Sequence, residues 1–306
     1  MENKKFKKGI LFAFLTSIIS GIAIFYSKIS LTKINPLILT TSRNLYVGFL
    51  FILLFIIHRR WGEIKKLKRK QLFILILIGL IGGWLPFYLF FTGLQFTQAI
   101  AANLIHKTLF IWVTILAFLF LKEKFNFSYL ISFFLIGFAN FYLGNLKLTF
   151  GKGELMVFIA TILWSIENIL AKKVLKTVSS ETVGLFRMGT GSILLFLTSL
   201  ATGKADMFPV GDLSKMTVVA IGGTILFFYV YTWYKALKYA PASLVTLILT
   251  FSVIVGNILN GAFAGIKLMP KEIYSSIFIG ASVFLIFSYT LFIPYAKRHL
   301  GRKFSI

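Results

Sequence analysis

Ten long apolar stretches fill this chain, at about residues 9–29, 36–57, 71–93, 98–121, 127–147, 153–175, 181–201, 214–237, 241–264 and 271–293. A bilayer core needs roughly 20 apolar residues per helix, so each stretch is long enough to cross one. In lipid, backbone polar groups must be satisfied within the spanning structure, which leaves helices or closed barrels. Barrel strands alternate polar and apolar residues. Here Leu, Ile and Phe run on all faces, so helices follow. Composition agrees, with 58% hydrophobic and 14% charged residues, against about 25% charged in a soluble domain. The expected fold is an all-α integral membrane protein of ten transmembrane helices.

The connectors are short, and the longest runs from His58 to Lys70. That segment has Trp61, Ile64 and Leu67 at every third residue with basic residues between. It reads as a basic, topology-setting loop, with a short helix on the inner leaflet as the alternative. The first stretch follows Lys4, Lys5, Lys7 and Lys8. It is too long for an ordinary signal-peptide core and reads as a retained helix. Cysteine is absent and only three His occur, widely scattered, so no ordinary transition-metal site is expected. No phosphate loop or nucleotide fingerprint is present, and no cofactor is expected.

The net charge of +24 invites a nucleic-acid reading. Its distribution argues otherwise. With ten spans and the N-terminus inside, 22 of the 33 Lys and Arg fall on the inner side and eight on the outer. The other three, Arg43, Lys107 and Arg187, lie within spans. This is the positive-inside bias that orients membrane proteins. It predicts a multi-pass protein of the plasma membrane, bounded by lipid and with both termini cytoplasmic. No nucleic-acid partner is expected.

The chain repeats itself. Gly9 aligns with Gly153, Lys28 with Lys172 and Arg43 with Arg187, each 144 residues later. Leu94 aligns with Leu237, Ala99 with Ala242, Lys124 with Lys267 and Gly137 with Gly280, each 143 later. One deleted residue explains the change of offset. The halves are 9–147 and 153–293, flanked by basic tails 1–8 and 294–306. Five spans per half reverse the orientation, so the two halves form an inverted repeat, with a site expected between them at the midplane.

At these residues the chain resembles the EamA family of the drug/metabolite transporter superfamily. A Lys closes the first helix of each half (Lys28; Lys172 with Lys173), and an Arg lies early in the second (Arg43; Arg187). The segment Gly93-Leu94-Gln95-Phe96-Thr97-Gln98-Ala99 is matched by Ala236-Leu237-Lys238-Tyr239-Ala240-Pro241-Ala242. Leu121-Lys122-Glu123-Lys124 also fits, as does a Gly in the fifth helix of each half. Family members often have a Pro in the fourth helix of each half, which Lys107–Phe110 and Thr250–Val253 lack. The resemblance implies a secondary transporter moving a small organic solute by alternating access, an amino acid or related metabolite, in the direction of export. A sugar-phosphate or nucleotide-sugar exchanger of the same superfamily is the first alternative. A membrane-embedded enzyme or lipid scramblase is the second. With only nine acids in the chain, an enzyme has little to work with.

An ionisable group at membrane depth is costly and is by default a functional candidate. Glu167 shares a helix face with Trp164 and Asn168, and Asn103, His106 and Lys107 share another. A Glu167–Lys107 pair across the halves would neutralise both charges, as a substrate clamp, a proton relay or a purely structural contact. His106 could serve proton coupling or simply be hydrogen-bonded. Arg43 and Arg187 could gate the two ends or snorkel to the nearest interface, with Lys28 and Lys172 beside those ends. Pro86, next to Gly82 and Gly83, should kink the third span. Trp84, Tyr88, Tyr229 and Tyr231 could line a cavity or pack in the core. Asn257 could bond across helices. The sequence leaves open the solute, the coupling ion and the oligomeric state.

Overall fold

The computed structural model describes residues 2–97, 99–123, 127–141, 151–263 and 267–288. The ends of the fifth and tenth predicted stretches, the tail 294–306 and the side chain of Asn103 lie outside the described residues. The first half comprises α1 (Glu2–Ser30), α2 (Pro36–Ile57), a short α3 (Trp61–Lys65), α4 (Arg69–Ile78), a π-helical turn Gly79–Trp84, and α5 (Leu85–Gly93). It continues through α6 (Ala99–Lys107), α7 (Leu109–Leu116), a second π segment Ala117–Leu121, and α8 (Phe127–Phe141). The second half comprises α9 (Lys152–Val174), α10 (Ser180–Ala201), α11 (Leu213–Tyr239), α12 (Ala242–Leu249), α13 (Ser252–Phe263) and α14 (Pro270–Phe287). Apart from the short α3 and a 3-10 turn at Ala205–Met207, the segments joined end to end make ten rods among the described residues, and none of those residues forms a strand. Seven helices are long and apolar enough to cross a membrane.

The local sequence explains the ends and breaks. Asn35 accepts from Leu37 N–H at 3.1 Å ahead of Pro36 at the start of α2. Its repeat counterpart Ser179 accepts from Thr182 N–H at 3.2 Å ahead of α10. Both fill a donor that a helix start leaves open. The fourth rod of each half breaks without proline. Thr108 donates its hydroxyl to Ile105 O at 2.7 Å between α6 and α7, and Thr250 donates to Leu247 O at 2.6 Å between α12 and α13. A hydroxyl that takes a carbonyl three residues back competes with the helix ladder. In the third rod, Pro86 sits in the first turn of α5, at the end of the π turn Gly79–Trp84. The missing N–H of Pro86 is thus accommodated beside a bulge that already interrupts the ladder.

Packing between the halves follows a pseudo-two-fold pattern. α1 lies against α11, as α9 lies against α4, the π turn and α5. α1 meets α12 and α13, as α9 meets α6 and α7. α2 packs on its own counterpart α10, and α8 on α14. These last two crossings, of each helix on its own counterpart, are antiparallel. Thr41 bonds Ser199 (3.1 Å), Gly48 faces Ser192, and Gly184 abuts the ring of Phe51. Ser132 and Ser282 exchange hydroxyl-to-carbonyl bonds of 3.2 and 3.1 Å, while Phe138 meets Phe278 at 5.1 Å. The symmetry reaches single side chains. Lys8 lies 5.4 Å from the ring of Tyr239, and Lys152 lies 5.2 Å from that of Phe96; both residues of one pair match both of the other in the repeat.

Candidate functional site

A cluster of buried polar groups lies where α9 and α10 meet the π turn and α11. Gly82 and Gly83 have no side chains to hold other helices off. A methyl at Gly82 would fall 2.5 Å from Glu167 Cγ and 3.4 Å from Arg187 Nε. A methyl at Gly83 would collide with the Arg187 carbonyl oxygen. The carboxylate and the guanidinium therefore flank one glycine. Gly82 O accepts from Arg187 Nε at 3.3 Å and from Trp164 Nε1 at 3.1 Å. Tyr234 of α11 donates its hydroxyl to Glu167 Oε1 at 2.6 Å, and its ring lies 5.8 Å from Arg187 Cζ. The two charges act on each other without closing a direct ion pair. Glu167, Arg187 and Tyr234 are all buried.

Around this triad is an aromatic shell. His106 lies on Trp164 at 4.9 Å and on Phe90 at 5.4 Å, with Nδ1 buried and without a hydrogen-bond partner among the described residues. Asn168, one turn after Trp164, accepts from Trp233 Nε1 at 3.1 Å. Tyr229 stacks on Trp233 at 6.1 Å. Indoles and phenols that end in a polar atom keep such a site both apolar and specific.

Several expectations need correction. Glu167 does not pair with Lys107. Its carboxylate accepts from Tyr234 and lies across Gly82 from Arg187. The residues that share a face with Glu167 turn toward the third rod and α11, and Lys107, at the end of α6, has no ion pair among the described residues. Arg43 and Arg187 do not snorkel; both are folded inward and buried, because glycines of the opposing half make room. Trp84 donates to Thr198 at 2.9 Å, away from Glu167. Tyr231 accepts from Lys235 Nζ of the next turn. Tyr88 is half-buried and joins none of these bonds. Asn257 does bond across helices, donating to Ser276 at 3.1 Å.

A second polar group grips the turn between α11 and α12. Lys172 donates to Leu237 O (2.5 Å) and Ala240 O (2.6 Å), the last carbonyls of α11. Glu123 accepts from Ala242 N–H (2.7 Å), Ser243 N–H (3.1 Å) and the Ser243 hydroxyl (2.5 Å), at the start of α12. Cation at a helix C-terminus and anion at an N-terminus are the favourable placements for the helix dipole. Nearby, Glu181 pairs with Arg60 and Lys235, both at 3.3 Å, and Glu63 accepts from Ser179 N–H at 2.7 Å. The basic segment after α2 is thus fastened to the start of α10. Lys28, the counterpart of Lys172, is exposed.

The roles of Tyr234, the Gly82 carbonyl and Glu123 have little signature in the sequence. Tyr234 is one aromatic among several in its span. A backbone carbonyl exposed by a π turn has no residue signature beyond the Gly82-Gly83 pair.

The EamA-like transporter family matches the chain twice, over residues 7–144 and 151–288. An uncharacterized transporter of Methanothermobacter thermautotrophicus is 23% identical over 273 residues, 82% of this chain and 77% of that protein. The uncharacterized transporter YyaM of Bacillus subtilis is 25% identical over 222 residues, 66% of this chain and 72% of its own length. A solved crystal structure shares the fold with a TM-score of 0.79 and 14% identity, covering 94% of this chain and 99% of that one.

Proposed function

Since the chain belongs to the EamA-like transporter family, as a multi-pass membrane protein, we propose that it carries a small zwitterionic solute of the amino-acid type by alternating access between its two halves. The ten rods would each cross the bilayer. Five crossings per half make the repeat inverted, and the antiparallel contacts of corresponding helices support this arrangement. The charge distribution supports cytoplasmic termini in the plasma membrane. The direction proposed is outward, in keeping with the family resemblance. The protein acts as a carrier and not as an enzyme.

One observation carries the solute class: Glu167 and Arg187 flank Gly82 at the junction of the halves. A guanidinium presents a planar fork of donors that a carboxylate accepts at two points. The Glu167 carboxylate, steadied by Tyr234, suits the ammonium of the same solute. A phosphate-bearing solute would be opposed by Glu167. Rocking of the halves would expose the site to either side in turn. A proton on Glu167 or His106 is the coupling mode that this arrangement allows. The test is uptake by proteoliposomes of labelled amino acids under imposed pH and voltage gradients. Zwitterion transport that is lost in Glu167→Gln and in Arg187→Gln supports the reading; transport only of anionic sugar phosphates overturns it.

A further inference from the structure

Arg43 occupies in the first half the place that Arg187 occupies in the second, but its surroundings differ. Its guanidinium donates from Nη1 to Ser27 Oγ at 2.8 Å. Its Nε is buried and has no hydrogen-bond partner among the described residues. The side chain is 8% exposed. It packs against Gly222 of α11, where an added methyl would lie 3.0 Å from Arg43 Cδ and 3.3 Å from the Tyr26 ring. No described acidic side chain pairs with it. The position matching Glu167 is Ala23, and the position matching Tyr234 is Phe91.

The hydroxyl of Ser27 is also set apart. Thr16, Ser17 and Ser30 on the same helix donate to carbonyls one turn back, at 2.6, 2.7 and 2.8 Å. Ser27 accepts from Arg43 and donates to no described group. A buried cation with an unused N–H, beside an O–H that is itself unused, is a donor set without an acceptor. Buried cations in membrane proteins are paired or satisfied because isolation in a low dielectric is costly.

We propose that Arg43 and Ser27 form a binding site for a small anion, a halide or a carboxylate, separate from the site at Glu167 and Arg187. The anion accepts from Arg43 Nε and from the Ser27 hydroxyl, and supplies the negative charge that Glu167 supplies to Arg187. Such a ligand stabilises the folded protein in proportion to the logarithm of its concentration once the site fills. This proposal does not depend on which solute the other site carries.

The test is thermal unfolding of the purified full chain, with sodium chloride or sodium acetate replacing sodium isethionate, a bulkier sulfonate, at constant ionic strength. The wild type should show a saturable rise in midpoint. Arg43→Gln should lose the anion response while folding normally in isethionate, since it removes an unpaired buried charge. Ser27→Ala and Arg43→Lys should fold and weaken the apparent affinity by about tenfold, the loss of one charge-assisted bond. Stabilisation by chloride as well as acetate identifies a halide site. Stabilisation by acetate and by alanine, but not by chloride or alaninamide, identifies a site for the carboxylate of a solute. If wild type, Arg43→Gln and Ser27→Ala respond alike to both anions, the proposal is overturned.

Discussion

Arg43 and Arg187 stand at matching points of two repeats, each 144 residues apart, each early in the second helix and each seated on glycines of the opposing half. Around Arg187 the protein supplies Glu167, Tyr234 and the Gly82 carbonyl. Around Arg43 it supplies one hydroxyl and the neighbouring Tyr26. The packing is therefore common to both halves, while the charge partner is particular to one. The two ends differ in the same way. Gly9 abuts Tyr239 and Ala240, as Gly153 abuts Gly93 and Phe96. Yet Lys172 and Glu123 bind the turn between α11 and α12, while Lys28 is exposed and Ile266 stands where an acid would match Glu123. Backbone geometry is what a duplicated fold must keep; polar partners are what each copy is free to change. Function should follow the differences.

The largest effect is expected at Arg187, the arginine that shares Gly82 with a buried carboxylate. Glu167→Gln leaves Arg187 without its carboxylate in a buried setting and should cost about 3–5 kcal/mol, read from denaturant or thermal unfolding. A double-mutant cycle should find Glu167→Gln and Tyr234→Phe strongly non-additive, and Glu167→Gln and Lys107→Gln additive. Coupling to Lys107 instead would undo the assignment of partners.

The converse change should make the two sites more alike. Ala23→Glu places a carboxylate where the repeat demands one beside Arg43. It should abolish any response of the unfolding midpoint to chloride or acetate. A variant that keeps the full anion response would show that the halves are not equivalent at this point.

At the ends the contrast should be smaller. Lys172→Met removes two charge-assisted bonds from the α11–α12 turn and should cost about 1.5–3 kcal/mol, whereas Lys28→Met should stay within about 0.5 kcal/mol. Because the chain has no cysteine, a single cysteine at Ser180, which bonds to Tyr234 O, can report on this end. Its labelling by a maleimide in detergent-solubilised protein should quicken in Lys172→Met and not in Lys28→Met.

The smallest effect lies outside the spans. Asp212 caps α11 by accepting from Lys215 N–H at 3.0 Å, and pairs with Lys215 Nζ at 3.1 Å. The backbone bond first, then the side-chain bond, hold its carboxyl below the ordinary range. Its contribution to stability is present above the unfolded carboxyl pKa and is lost as pH falls through the lower, folded value. Asp212→Asn should flatten that acid limb slightly, as measured by the unfolding midpoint across pH.

Much of this was legible in the sequence. The apolar stretches marked the rods because helix length and hydropathy are local properties. The repeat was visible through residues fixed by packing, such as Gly9 with Gly153 and Arg43 with Arg187. Glu167 stood out because an acid among apolar residues has few reasons to be there. Its partner did not, because Lys107 and Arg187 were both cations at depth and only the crossing of the rods decides between them. The breaks at Thr108 and Thr250 were also hidden, since a threonine that bonds back to its own helix has the same letter as one that does not. The carbonyl of Gly82 could not be read at all.

The central claim is that Glu167 and Arg187 together hold the solute. Counterflow of a mixture of labelled amino acids in proteoliposomes tests it directly, using wild type, Glu167→Gln, Arg187→Gln and Lys107→Gln, each checked for folding. The wild type should exchange at least one zwitterion and reject its amide, Lys107→Gln should retain the exchange, and the other two should each lose at least about tenfold, the loss of one charge-assisted contact. Folded Glu167→Gln and Arg187→Gln proteins that exchange at the wild-type rate, or a wild type that moves no amino acid, would contradict it.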